Sequence, residues 1–124
     1  MSKKPVILIV EDNESISKLV QYKLTKDGYE VIIRENGIEG YQAVCDIQPD
    51  LVILDVMMPG MSGFEVLQKI RDTEVIQHVQ VMMLTSKSRE EDIKRGFDLG
   101  VKEYMGKPFK VGELSMRIKK MLQS

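Results

Sequence analysis

The chain has 124 residues, 43% of them hydrophobic and 30% charged, with a formal net charge of -1. That suits one compact domain, which buries about two thirds of the surface its unfolded chain exposes. Acids and bases mixed along the whole length exclude the basic stripe that direct nucleic-acid binding requires, and the apolar runs are too short to span a bilayer.

The opening segment MSKKPVILIVEDN passes from a short apolar stretch straight into acids with no small-residue cleavage site, so a cytoplasmic protein is expected. Val6–Val10 reads as a first strand, and Glu11 and Asp12 follow it directly; EDNES stands where a nucleotide or flavin protein would carry a glycine-rich phosphate loop. Ile16, Leu19, Val20 and Leu24 then recur at helical spacing, a stripe expected to bury, and the helix stops near Gly28. Residues 31–33 form a second strand-like run. Cys45, the sole cysteine, sits in the helical segment beyond it and reads as a buried thiol, since it has no disulfide partner and no metal-site spacing.

The third run, Leu51–Leu54, ends at Asp55 and leads into VMMPGMSG, where Pro59, Gly60 and Gly63 set the backbone path beside the carboxylate. Ser62 followed by Glu65 has capping-box spacing and predicts a helix start. His78, in the polar segment TEVIQHVQ, reads as a surface residue. Residues 81–84 form the fourth run and end at Thr85; Ser88 with Glu91 again has capping-box spacing. Residues 101–105 form the fifth run, Lys107 and Pro108 follow it, and Leu114, Ile118, Met121 and Leu122 mark the buried stripe of a last helix. The nine methionines, Met57, Met58 and Met61 among them, read as adaptable packing, because no cluster of His and Cys accompanies them.

Five strands alternating with five helices, the strands apolar on both faces, predict a doubly wound α/β sandwich with a parallel sheet covered on both sides. In such a sheet every strand's carboxyl end lies on one edge, where ligands bind. Glu11, Asp12, Asp55, Thr85 and Lys107 all fall on that edge. Each has a plainer account: the first two as helix-start acids, Asp55 as a turn aspartate, Thr85 as a strand-end hydroxyl bonded to backbone, Lys107 as surface charge. Together, however, three carboxylates repel one another unless a divalent cation neutralises them, and Mg2+ suits an oxygen-only site shared with phosphate oxygens. An aspartate on a central strand is then a nucleophile toward phosphorus.

VEDN after the first strand, LDVMMPGMSG around Asp55, LTS at Thr85 and EYMGKPF at Lys107 resemble the response regulator receiver domains of two-component signalling. The resemblance covers residues 1–124 as one receiver domain. It implies a flavodoxin-like, three-layer fold with strand order 2-1-3-4-5. Asp55 would be phosphorylated by a sensor histidine kinase, with Glu11, Asp12, Asp55 and the backbone carbonyl of Met57 organising Mg2+. Lys107 would pair with the phosphoryl group, aided by a cis Lys107–Pro108 peptide. Thr85 would move to a phosphoryl oxygen as Tyr104 turned from an outward to an inward rotamer. The fourth helix, fifth strand and fifth helix would face a downstream protein target, a fused output domain or a second receiver.

For receivers attached to winged-helix domains the resemblance implies a phosphorylation-dependent homodimer, with Asp98 pairing Lys119 and Glu103 pairing Arg117 between subunits. Departures from the family pattern are Gly106 before the lysine, Lys102 and Glu103 before the tyrosine, and Glu113 facing Ile93 where a basic partner is expected. Lys87, two residues past Thr85, would influence how water reaches the phosphoryl group. Two other functions fit the sheet: a haloacid dehalogenase-type phosphatase, which needs an acid two residues after the nucleophile where Met57 stands, and a flavin carrier, whose phosphate EDNES would repel.

Overall fold

The computed structural model describes residues 3–123; Met1 and Ser2, at the head of the segment read as lacking a cleavable leader, lie outside them. The elements are β1 (Val6–Val10), α1 (Glu14–Lys26), β2 (Glu30–Arg34), α2 (Gly37–Ile47), β3 (Leu51–Leu54), α3 (Gly63–Asp72), β4 (Gln80–Thr85), α4 (Glu90–Asp98), β5 (Glu103–Gly106) and α5 (Val111–Gln123). All strand pairings are parallel, in the order β2-β1-β3-β4-β5. The expected doubly wound sandwich of five strands and five helices is the one observed.

Alternation along the central strands divides the core in two. Leu8 and Val10, Val52 and Leu54, and Val81 and Met83 face α2 and α3, meeting Val44, Phe64, Val66, Leu67 and Ile70. Ile7 and Ile9, Leu51 and Ile53, and Met82 and Leu84 face α1 and α5, meeting Val20, Leu24, Leu114, Ile118 and Met121. Burying each such side chain contributes about 1.5–3 kcal/mol, so these two layers fix the sheet against which the carboxyl-end loops are positioned.

Four local expectations are corrected. Leu19 is half exposed, because the face of α1 that meets the sheet is narrowed to Ser17, Val20 and Leu24. Cys45 is only partly buried: α2 turns Ala43 and Val44 inward and leaves the thiol at the margin of the core. The helix expected to begin at Ser88 instead has Arg89 at its N-cap, with no side-chain cap bond. The fifth strand starts at Glu103 rather than at residue 101, because the Val101 amide bonds back to the Gly96 carbonyl and closes α4. His78 is exposed as expected. Among the described residues no helix is long and apolar enough to cross a membrane.

Candidate functional site

The five polar residues singled out in the sequence do lie on one edge, and β1, β3 and β5 each end one residue before a member of the group. Asp55 is 5% exposed, and both of its carboxylate oxygens are held: Oδ1 accepts the Met57 amide at 3.2 Å and Oδ2 accepts from Lys107 Nζ at 3.1 Å. The same ammonium donates to Glu11 Oε1 at 2.6 Å, while Glu11 Oε2 accepts the Asn13 amide at 3.1 Å. Asn13 itself caps α1 through the Ile16 amide. Helix-start chemistry and pocket chemistry therefore coexist at Glu11, where the sequence set them as alternatives.

Asp12 is exposed beside this pair, and Glu11, Asp12 and Asp55 each offer an oxygen within 4.8 Å of the others. Three carboxylates facing one ammonium leave a surplus of negative charge, and an all-oxygen donor set of this spacing fits a hard divalent cation. Burial drives the Glu11 carboxyl above its ordinary value, and the bonds from Lys107 and Asn13 offset it only in part. Burial opposes the charge on Lys107 as well, but that side chain is less enclosed, and its bonds to Glu11 and Asp55 prevail and raise it.

The loop leaving Asp55 owes its course to Gly63. A Cβ there would lie 2.1 Å from the Asp55 carbonyl oxygen, so only glycine lets the start of α3 approach so closely. The approach is sealed by the Gly63 amide on the Val56 carbonyl at 2.8 Å and by the Ser62–Glu65 capping box, present as expected. Met57 is 53% exposed, and its sulfur accepts from Ser86 Oγ across the pocket mouth.

Thr85, fully buried, ends β4, and its Oγ1 accepts the Lys87 amide at 3.1 Å, the backbone role of the plainer account. The Tyr104 hydroxyl donates to the Lys87 carbonyl, and its ring packs over Gly96 and against the core, so in this structure the side chain is turned toward the molecule. Burial, with Asp92 and Asp55 nearby, pushes the phenol up to about 12. The Lys107–Pro108 peptide is cis. Lys107 is further tied to Thr85 through its amide on the Thr85 carbonyl at 3.0 Å.

On the expected partner face, Arg117 bonds Glu103 at 2.9 Å and Glu113 at 2.8 Å within one chain, and Asp98 pairs with Lys94 at 2.9 Å. Lys119 is exposed. Sequence reasoning missed the Lys87 carbonyl as the acceptor for Tyr104, which no side-chain pattern reveals. It also missed the role of Glu113, which engages Arg117 one helical turn away; that pair has the i,i+4 spacing of an ordinary helix ion pair.

A doubly wound α/β sheet with a buried aspartate, two further acids and a lysine at the carboxyl ends of its strands defines a class of α/β domains whose polar residues gather where such sheets bind their ligands. The family model for the response regulator receiver domain matches residues 7–119. The chain is 41% identical to the alkaline phosphatase synthesis transcriptional regulatory protein PhoP of Bacillus subtilis, over 99% of this chain and 50% of that protein. It is 40% identical to the DNA-binding dual master transcriptional regulator RpaA of Synechocystis sp., over 96% of this chain and 49% of that protein. Among solved structures, the non-phosphorylated HemR receiver domain of Leptospira biflexa superposes with a TM-score of 0.91 at 30% identity, covering 98% of this chain and 96% of that one. Chemotaxis response regulator CheY4 of Vibrio cholerae gives 0.89 at 28% identity, covering 96% and 99%. The chain belongs to the response regulator receiver domain family and is a receiver domain of two-component signalling. It spans about half the length of the curated relatives it matches.

Proposed function

We propose that Asp55 is the phosphoacceptor of a two-component phosphorelay. A carboxylate oxygen of Asp55 attacks the phosphorus of a phosphohistidine on a sensor kinase, the P–O bond forms as the P–N bond breaks, and the imidazole, already protonated on its other ring nitrogen, takes the electron pair of the broken bond and leaves neutral. Glu11, Asp12 and Asp55, with the Met57 backbone carbonyl, would hold Mg2+, which supplies neutralisation of the charge that otherwise repels a phosphoryl donor. Lys107, already within reach of Asp55, turns to a phosphoryl oxygen of the product. The Thr85 hydroxyl exchanges its bond from the Lys87 amide for a phosphoryl oxygen, which alters the loop that also carries the acceptor for Tyr104. Phosphorylation then shifts a population between two states of the α4–β5–α5 face.

The single observation carrying this reading is Lys107 Nζ set between Glu11 and Asp55 with Asp12 beside them. The output is control of a downstream protein, of a fused domain or of homodimerisation, with Asp98, Glu103, Arg117 and Lys119 on the responding face. The domain acts as a regulator, with slow loss of its own phosphoryl group, because the residue two beyond Asp55 is Met57, which cannot exchange a proton. Incubation with acetyl phosphate and Mg2+ should add one phosphoryl mass to the chain and none to Asp55→Asn. An Asp55→Asn chain that still gained the mass would end the assignment.

A further inference from the structure

Arg71, on the last turn of α3, lies at the edge of the sheet opposite Asp55. Its guanidinium makes four hydrogen bonds, all to backbone carbonyls: Nη1 to Gln77 and Val79 at 2.8 Å each, Nε to Leu99 at 2.8 Å and Nη2 to Gly100 at 3.1 Å. Gln77 and Val79 lead into β4, whereas Leu99 and Gly100 end α4. Burial lowers the guanidinium's pKa and no carboxylate acts to raise it, so its charge is answered by carbonyl dipoles, including those at the negative end of α4. One side chain thus joins the entry of β4 to the exit of α4.

The two ends of α4 are held very differently. At the exit, Gly100 turns with φ +82°, its amide bonds Phe97, the Val101 amide bonds Gly96, and Val101 is buried. At the start, Arg89 supplies no side-chain cap to the helix amides and only pairs its largely exposed guanidinium with Glu91 and Asp92, and Gly96, near the exit, is the one buried residue of the helix. The start adjoins the loop from Thr85, where Lys87 is bonded by both Thr85 and Tyr104. The strand between the two ends, β4, is buried from Val81 to Thr85 and acts as a stiff strut.

We propose that Arg71 is the pivot of the switch: it fastens the exit of α4 to the root of β4, so that events at Thr85 swing the start of α4 while its far end stays in place. This positioning role rests on the phosphoacceptor reading of Asp55 and extends it to a residue on the opposite edge. With nine residues, α4 is a lever of about 13 Å, so a displacement of 1–2 Å at its start is a tilt of several degrees rather than a slide. Loss of the four bonds would free the exit of α4 from the root of β4, leaving the chemistry at Asp55 intact but the motion of the helix without a fixed end.

Amide exchange read residue by residue by NMR tests this in the whole chain, with acetyl phosphate and Mg2+ as the probe and intact mass as the check on labelling. In the unlabelled protein, Arg71→Met should speed exchange at Gly100 and Val101 at least tenfold and leave Ile93 and Lys94 within twofold; equal protection in the variant overturns the pivot. In the labelled protein, native exchange should change at Ile93 and Lys94 and hold steady at Gly100 and Val101, whereas Arg71→Met should change at all four. A native response of equal size at both ends, or a variant response confined to the start, also overturns it. A chain that takes no label refutes the phosphoacceptor reading alone, and the unlabelled comparison still judges Arg71. Arg71→Lys keeps a cation but cannot span four carbonyls, so it should fall between native and Arg71→Met and serves if the latter does not fold.

Discussion

Helices α3 and α4 each follow a strand that ends at, or one residue before, a site residue, yet they are built to different standards. α3 has a complete capping box and buries Gly63, Phe64, Val66, Leu67 and Ile70, whereas α4 has no side-chain cap and buries Gly96 alone. The contrast matches their positions. On the proposed switch, the helix after Asp55 would hold a carboxylate close to its partners, and the helix after Thr85 would move. The better-capped and more deeply buried helix is the one beside the proposed phosphoacceptor, and the less secured one lies on the proposed responding face.

The contrast can be broken most sharply through packing. Leu67→Ala should cost about 2–5 kcal/mol in urea unfolding, since the side chain is fully buried, while Ile93→Ala in α4, only partly buried, should cost less than about 1.5 kcal/mol. Comparable losses would mean that α4 is as firmly packed as its neighbour. Next in size, Lys107→Ala should leave a folded chain whose phosphorylation-dependent change in amide exchange across α4 and β5 falls about tenfold, or about 1.4 kcal/mol of coupling; a normal response in that variant would remove the ammonium from the switch. Capping gives a smaller effect: Ser62→Ala should cost about 1 kcal/mol and Ser88→Ala close to none, whereas Arg89→Ser should supply the missing cap, offset in part by the loss of its pairs to Glu91 and Asp92, and stabilise α4 by about a few tenths of a kcal/mol. Chemical denaturation of the three variants orders them.

The smallest effect is in pH. Glu11 is shifted upward from 4.5, so folding favours its protonated form; its burial costs stability at neutral pH, and that cost is relieved as pH falls through the raised value. Protonation there removes a cation ligand, so Mg2+ affinity measured by calorimetry should fall on acidification at a pH above 4.5, and Asp12→Ala should weaken it at every pH. Lys107 is raised from 10.5, so its contribution is fully present below that pH and is lost as pH climbs through the higher folded value.

Much of this was legible before any coordinates. Strands apolar on both faces forced a covered parallel sheet, and parallel strands forced Glu11, Asp55, Thr85 and Lys107 onto one edge. Elements failed at their ends, where tertiary contacts decide: the Val101 amide was taken by Gly96, so β5 began later, and Ser88 was passed over in favour of Arg89 at the start of α4. Backbone partners were invisible for the same reason. Nothing in the sequence marks Arg71 as a ligand of four carbonyls or Lys87 as the acceptor for Tyr104, because carbonyls carry no residue identity.

Peptide-resolved mass spectrometry after incubation with acetyl phosphate, with and without Mg2+, tests the central claim most directly. One label is expected on the peptide containing Asp55, dependent on Mg2+ and removed by hydroxylamine as an acyl phosphate must be. A label on a serine, a threonine or His78, or one that forms equally well without the cation, would contradict the account.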